Sequence, residues 1–197
     1  MATLSEAKPF IEGLCLVQQK GTPFPVFMGE ELVMLVCGIG KINAAMGTAY
    51  GCLEFHPSVV VNLGAAGAAD HSPILGDIFN ISRIYEFDRP ALRTGRPFLT
   101  ETDTLPGFKP AAIATQDRPV LLPEERREIS RLALLLDMEA AAVAQACRKF
   151  FVRCLIFKFV SDTPEHVEGD DIVANIKKYR DPFYAFFIRN IFRAVKS

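Results

Sequence analysis

The run Phe151-Val152-Arg153-Cys154-Leu155-Ile156-Phe157-Lys158-Phe159-Val160 constrains the fold more than any other stretch. It is dominated by aromatic and branched apolar residues and contains no Gly or Pro, so it reads as a strand buried on both faces. It stops at Ser161-Asp162-Thr163-Pro164, a polar turn closed by proline. Ligands of open parallel α/β sheets bind beyond the carboxyl ends of the strands. Asp162 is expected at that edge, half out of the core, where partial desolvation would help it deliver a proton. A Ser-Asp pair taken alone is more simply a cap or a turn.

The rest of the chain alternates strands with helices. Ser5 is a candidate N-cap for a short helix running to about Leu14, with Glu6 in the first turn, where the helix dipole favours a carboxylate. No apolar strand precedes it. Pro25–Gly29 and Leu32–Cys37 form a hairpin pattern, followed by Gly38-Ile39-Gly40-Lys41 and a small-sided helix over about Ile42–Glu54. The glycines lack both the third glycine of a dinucleotide loop and the ending of a Walker loop, and close helix packing explains them equally well. Ser58–Leu63 is a second buried strand, opening into Gly64-Ala65-Ala66-Gly67, a loop whose bare backbone could approach a ligand or simply make a tight turn.

Gly76-Asp77 begins a long strand to Phe87, and Asp88 to about Lys109 is an irregular surface loop or lid. Ala111–Thr115 and Leu134–Asp137 are short strands, and the charges of Pro123–Ile129 mark a solvated helix face. Met138-Glu139 leads into an Ala-rich helix, with Glu139 as a first-turn carboxylate. The last helix, about Ile172–Val195, is expected to break at Pro182 near Asp181. Alternating elements imply a central, largely parallel sheet. Glu6, the Gly64–Gly67 loop, Glu139 and Asp162 would then share one edge.

Half of the 197 residues are hydrophobic, enough for a single domain over residues 1–197. Lys+Arg 22 against Asp+Glu 23 gives no electrostatic case for nucleic acid or an anionic membrane. No apolar run has the length of a membrane span, and the start lacks the order of a signal peptide. Five widely spaced cysteines read as reduced core residues of a cytosolic protein, and the scattered histidines offer no metal site. No cofactor is expected.

Together, Ser5-Glu6-Ala7, Gly38-Ile39-Gly40-Lys41-Ile42-Asn43-Ala44-Ala45, Asn62-Leu63-Gly64-Ala65-Ala66-Gly67, Gly76-Asp77-Ile78, Asp137-Met138-Glu139-Ala140 and Val160-Ser161-Asp162 resemble the purine nucleoside phosphorylase and methylthioadenosine/S-adenosylhomocysteine nucleosidase superfamily. The pieces keep family order and cover nearly the whole chain. The resemblance implies a three-layer α/β/α fold with a mixed, partly closed central sheet, here with its first strand truncated. It also implies cleavage of the N-glycosidic bond of a purine nucleoside, and a homodimer. Asp162, preceded by Ser161, matches the aspartate on N7 of the leaving purine. Glu139, with Met138 beside it, matches the glutamate on the ribose hydroxyls, and Glu6 the acid that positions water. Lys158 falls where the hydrolases carry an arginine, and Val120 at a backbone contact to the base. Ala65, Ala66 and Gly67 would line the substrate.

Three departures stand out. The first glycine loop has Lys41 in place of the phosphate-binding arginine of the phosphorylases, which favours water as the nucleophile. Pro119 replaces a stacking phenylalanine, and Gln116 with Arg118 resembles the pair by which uridine phosphorylases read uracil. The missing strand implies either a start upstream of Met1 or a reduced member. The expected activity is hydrolysis of an adenosine-type nucleoside with a variable 5′ group. The alternatives are a phosphate-dependent phosphorylase and a weakly active nucleoside-binding homologue.

Overall fold

A computed structural model describes residues 1–196. The chain opens with α1 (Leu4–Gly13), capped by Thr3 rather than Ser5. Thr3 and Glu6 form a reciprocal capping box, so two orphan amides of the first turn are satisfied by one pair of side chains. A small antiparallel sheet follows, β1 (Val17–Gln19), β2 (Val26–Met28) and β3 (Val33–Leu35), with the anticipated turn closed by Gly29 N–H donating to Leu32. α2 (Lys41–Phe55) leads to β4 (Val59–Ala68).

The remaining strands are β5 (Ile78–Pro90), β6 (Pro97–Glu101), β7 (Pro110–Thr115), β8 (Leu135–Asp137) and β9 (Arg153–Asp162), with α3 (Pro123–Ile129) before β8 and α4 (Ala140–Lys149) after it. Their order is β6-β5-β7-β8-β4-β9, and β5 pairs again with β9, closing five of the six strands into a barrel. The sheet is mixed: β9 runs parallel to β4 and antiparallel to β5. α2 and α4 pack together over one face, where Ala44, Ala140–Ala144 and Cys147 meet Phe79, Ile81 and Ile84. α1 and α5 (Gly169–Phe186) cover another through Phe10, Phe159 and Phe183.

Four expectations are corrected. Gly64–Gly67 is not a loop but the second half of β4, because side chains this small let the strand continue beneath neighbouring carboxylates. Asp88–Lys109 is no lid: it carries the end of β5 and β6 as an edge hairpin, with Arg89 stacked 4.4 Å from the Phe98 ring. The central strand starts at Arg153 and carries on through Ser161 and Asp162, so the aspartate closes the ladder instead of beginning a turn. Finally, α5 passes through Pro182 unbroken and yields to a π segment (Phe187–Ile191), then α6 (Phe192–Lys196). An interior proline costs on the order of 3 kcal/mol, an amount the aromatic packing of Phe183 and Phe187 on Phe10 offsets.

Among the described residues, Val59–Ala66 pair with β9 along one edge alone, and β3 pairs only with β2. Between them lies a mainly apolar cavity of about 730 Å³, walled by Val33–Leu35 and Val59–Leu63. The N-terminal ammonium of Met1 donates to the Leu35 carbonyl at its margin, and the Oδ1 of buried Asn62 has no hydrogen-bond partner among the described residues.

Candidate active site

Glu6, Glu139, Lys158, Ser161 and Asp162 are all nine-tenths or more buried, and three elements, α1, the start of α4 and β9, bring them together. Lys158 lies mid-strand in β9, 2% exposed, with Nζ 2.8 Å from Asp137 Oδ2 at the end of β8. Asp137 is itself held by the Thr115 hydroxyl (2.6 Å) and the Ala140 amide (2.8 Å). Burial by itself disfavours the Lys158 ammonium. Asp137, with Glu139 and Glu6 beyond it, outweighs that and holds the lysine above its ordinary pKa. A buried cation of this kind persists only where carboxylates surround it.

Glu6 serves two ends of its side chain differently. Oε2 accepts from the Thr3 amide and hydroxyl, while Oε1 accepts from the Ala65 amide at 2.9 Å. Gly64 makes this possible, since a Cβ there would stand 3.0 Å from Glu6 Oε1 and 3.6 Å from Lys158 Nζ. Glu139 is the N-cap residue of α4 rather than a first-turn residue, and its side chain makes no cap bond. It reaches instead to the amide of Gly40 at the start of α2, 2.9 Å away. Burial is the main force raising the Glu139 pKa; Asp137 adds to it, while Lys158 and the Gly40 amide oppose it. A half-buried Met138 precedes it.

At the β9 exit the structure differs from expectation. Asp162 is 6% exposed, deeper than the half-exposed edge position predicted for it. Its Oδ1 lies 2.8 Å from the Ser161 hydroxyl and its Oδ2 2.5 Å from Arg126 Nη2. Gly67 passes directly below, where a Cβ would collide with the carboxylate. Arg126 is the residue that sequence reasoning missed. It sits in the charged run Pro123–Ile129, yet its guanidinium is buried and also donates to the carbonyls of Val120 (Nε, 3.0 Å) and Ala68 (Nη1, 2.6 Å). The recoverable signal was helical spacing, because Arg126 and the buried Ile129, three residues apart, share one inward face of α3. Gln116 and Arg118, the anticipated base-reading pair, are both engaged by Glu125, and Arg118 lies largely exposed.

Lys41 is not free either. Its Nζ stands 2.6 Å from Asp88, 3.3 Å from Glu86 and 3.7 Å from Asp117. Its amide donates to Asp117 at 2.8 Å. Partial burial works against the ammonium, but Asp88 and Glu86 prevail and raise its pKa. Among the described residues no group of three or more His, Cys, Asp or Glu side chains could hold a metal ion, and no helix is long and apolar enough to cross a membrane.

A buried lysine ringed by acids, beneath a strand-end Ser-Asp in a closed mixed sheet, defines the class of protein. A phosphorylase-superfamily sequence profile matches residues 6–117 and 94–191, and the chain belongs to that superfamily. It is 32% identical over 162 residues to the 5′-methylthioadenosine/S-adenosylhomocysteine nucleosidase of Staphylococcus carnosus (strain TM300), covering 68% of this chain and 69% of that protein. It is 30% identical over 158 residues to the nucleosidase of the same name from Staphylococcus epidermidis, with the same coverage of each. In three dimensions it is similar to the 5′-methylthioadenosine nucleosidase of Arabidopsis thaliana in apo form, with a TM-score of 0.86 at 18% identity, covering 98% of this chain and 93% of that one. The partly closed α/β architecture expected from the sequence is thus the observed one.

The raised Glu139 pKa carries a stability consequence. Well below the ordinary carboxylate value of 4.5 the glutamate is protonated in both folded and unfolded chains, so it adds no penalty. As pH rises from that value, the unfolded chain loses its proton first and stability falls, until the raised folded pKa is passed. Glu139→Gln is therefore expected to melt higher than the parent at neutral pH, with the gap closing towards pH 4. Each kcal/mol corresponds to about 2–4 °C in a chain of this size. Thermal melts of both proteins across pH check this; a gap that widens towards acid would contradict it.

Proposed function

We propose that the protein is a purine nucleosidase, hydrolysing the N-glycosidic bond of an adenosine-type nucleoside such as 5′-methylthioadenosine or S-adenosylhomocysteine. The named relatives support the reaction. The observation that carries the choice of water is the caging of Lys41 by Glu86, Asp88 and Asp117. A phosphate dianion approaching the first glycine loop would meet a lysine already neutralised and three carboxylates, a repulsive field for an anionic nucleophile.

In the reaction the C1′–N9 bond breaks as a water oxygen bonds to C1′, through an oxocarbenium-like sugar. Glu6, fixed by Ala65 and Thr3, takes the proton released by water. Glu139 bears on the ribose hydroxyls, with Met138 packing beside them, and its charge favours the cationic sugar. Lys158 keeps the acids at fixed separation. Asp162, steadied by Ser161, gives its carboxyl proton to N7 of the leaving purine as C1′–N9 breaks, while Glu6 keeps the proton taken from water; Val120, Ala65, Ala66 and Gly67 line the space for base and sugar. That protonation counts most in the transition state, as negative charge builds on the purine.

The assembly proposed is a cytoplasmic homodimer. Ile42, Met46 and Leu53, four and then seven residues apart along α2, with Ile39 just before the helix, are each more than half exposed and form an apolar stripe. Sedimentation at micromolar concentration should give twice the chain mass, and Met46→Glu should shift it towards one; a monomeric parent would contradict the proposal.

Asp162→Asn preserves shape but cannot carry the proton, so kcat should fall at least about 100-fold with little change in KM. Glu139→Gln should impair both constants, since ribose contacts also position the substrate. Steady-state release of adenine from 5′-methylthioadenosine, with folding followed by circular dichroism, measures this. Near-parental turnover by Asp162→Asn would leave Asp162 with only its structural contacts to Arg126 and Ser161.

A further inference from the structure

We propose that Arg180 is a positioning residue for Glu6: from α5 it supplies the hydrogen bond that Pro9 cannot give the Ser5 carbonyl, and so fixes the peptide from which the water-activating acid projects. The inference rests on the nucleosidase reading and concerns how that site holds its acid in place. In an α-helix each carbonyl accepts from the amide four residues on. For Ser5, in the first turn of α1, that residue is Pro9, which lies inside the helix and has no N–H. The donor comes from another element instead. Arg180 Nη1 donates to the Ser5 carbonyl at 2.8 Å and to the Ser5 hydroxyl oxygen at 3.1 Å. Among the described residues the buried Nε of the same guanidinium has no partner, so Nη1 is the end that ties α5 to α1.

The Ser5 carbonyl and the Glu6 N–H belong to one planar peptide group. The Glu6 N–H donates to Thr3 Oγ1 at 3.2 Å, so the plane is held at its nitrogen end by the capping box and at its oxygen end by Arg180. The carboxylate is held separately, by Thr3 and by the Ala65 amide. Those bonds set where the two oxygens point, while the pinned peptide sets where the side chain starts. A general base must lie within hydrogen-bond reach of the proton it takes, and a small displacement of such a group is costly in rate. Packing puts Arg180 in register for this. Phe183 and Tyr184, three and four residues on, place their rings 6.0 and 5.2 Å from that of Phe10 in α1, so one face of α5 carries both the aromatic contact and the guanidinium.

The test is a pair of double-mutant cycles, read as adenine release from 5′-methylthioadenosine at a temperature below the melting transition of every variant. Arg180→Met should lower kcat at least about tenfold with KM little changed, as expected when a catalytic group is misplaced. In a Glu6→Gln background, where no base remains to be positioned, the same substitution should change kcat less than about threefold. In a Pro9→Ala background a helix amide returns to the Ser5 carbonyl, and the loss should again shrink below about threefold. If Arg180→Met does not fold, Arg180→Gln, polar but too short to reach Ser5, takes its place with the same expectations. An unchanged kcat in a folded Arg180 variant overturns the inference and spares the nucleosidase reading. A loss equal to the parent's in either background shows a role other than holding Glu6 and overturns it too. A parent that releases no base from any nucleoside overturns the reading beneath it.

Discussion

The buried ammonium of Lys158 is the constraint on which the rest of the site depends. A lysine 2% exposed in the middle of a strand is tolerable only with acids packed around it, and Asp137 in direct contact, with Glu139 and Glu6 further off, supplies them. Each acid comes from a different element: the end of β8, the N-cap of α4 and the first turn of α1. Satisfying one charge therefore fixes three elements against β9. Gly64 completes the arrangement by leaving room between Glu6 and Lys158. Electrostatic necessity and the proposed chemistry overlap, since two of the carboxylates that stabilise the lysine, Glu6 and Glu139, are those proposed to face a cationic sugar.

A second cluster gives the site its other boundary. Lys41, Glu86, Asp88 and Asp117 tie the start of α2 to β5 and to the segment after β7, and Gly40 adds its amide to Glu139. The loop that could have cradled an anion is thereby closed by charges of this chain's own. Position 41 keeps a cation, yet the cation is spent internally. This explains how a chain of the phosphorylase superfamily can be arranged for water.

Much of this was legible in the sequence. The apolar run ending in Ser161-Asp162 and the Met138-Glu139 pair at an Ala-rich helix marked the elements that form the candidate site, because burial on both faces and small-sided packing leave direct traces in residue type. What the sequence hid were relationships at long range. Arg126 looked like one more charge on a wet helix, since nothing local distinguishes a guanidinium turned inward to Asp162, 36 residues on. Gly64–Gly67 looked like a loop because glycine and alanine have low strand propensity, and only the pairing with β9 overrides it. Pro182 looked like a helix break because its local cost is visible and the aromatic contacts that offset it are not. Thr3 displaced Ser5 as cap once the reciprocal bond with Glu6 was made.

The central claim is that this site delivers water, not phosphate, to C1′ while acids support the departing base. The most direct measurement follows the fate of isotopically heavy water oxygen during turnover of 5′-methylthioadenosine in buffer containing millimolar phosphate. The account predicts free 5-methylthioribose carrying the heavy oxygen at C1′, in one-to-one amount with adenine and at a rate unaffected by phosphate. A sugar 1-phosphate without the label, formed at a rate that rises with phosphate concentration, would contradict it.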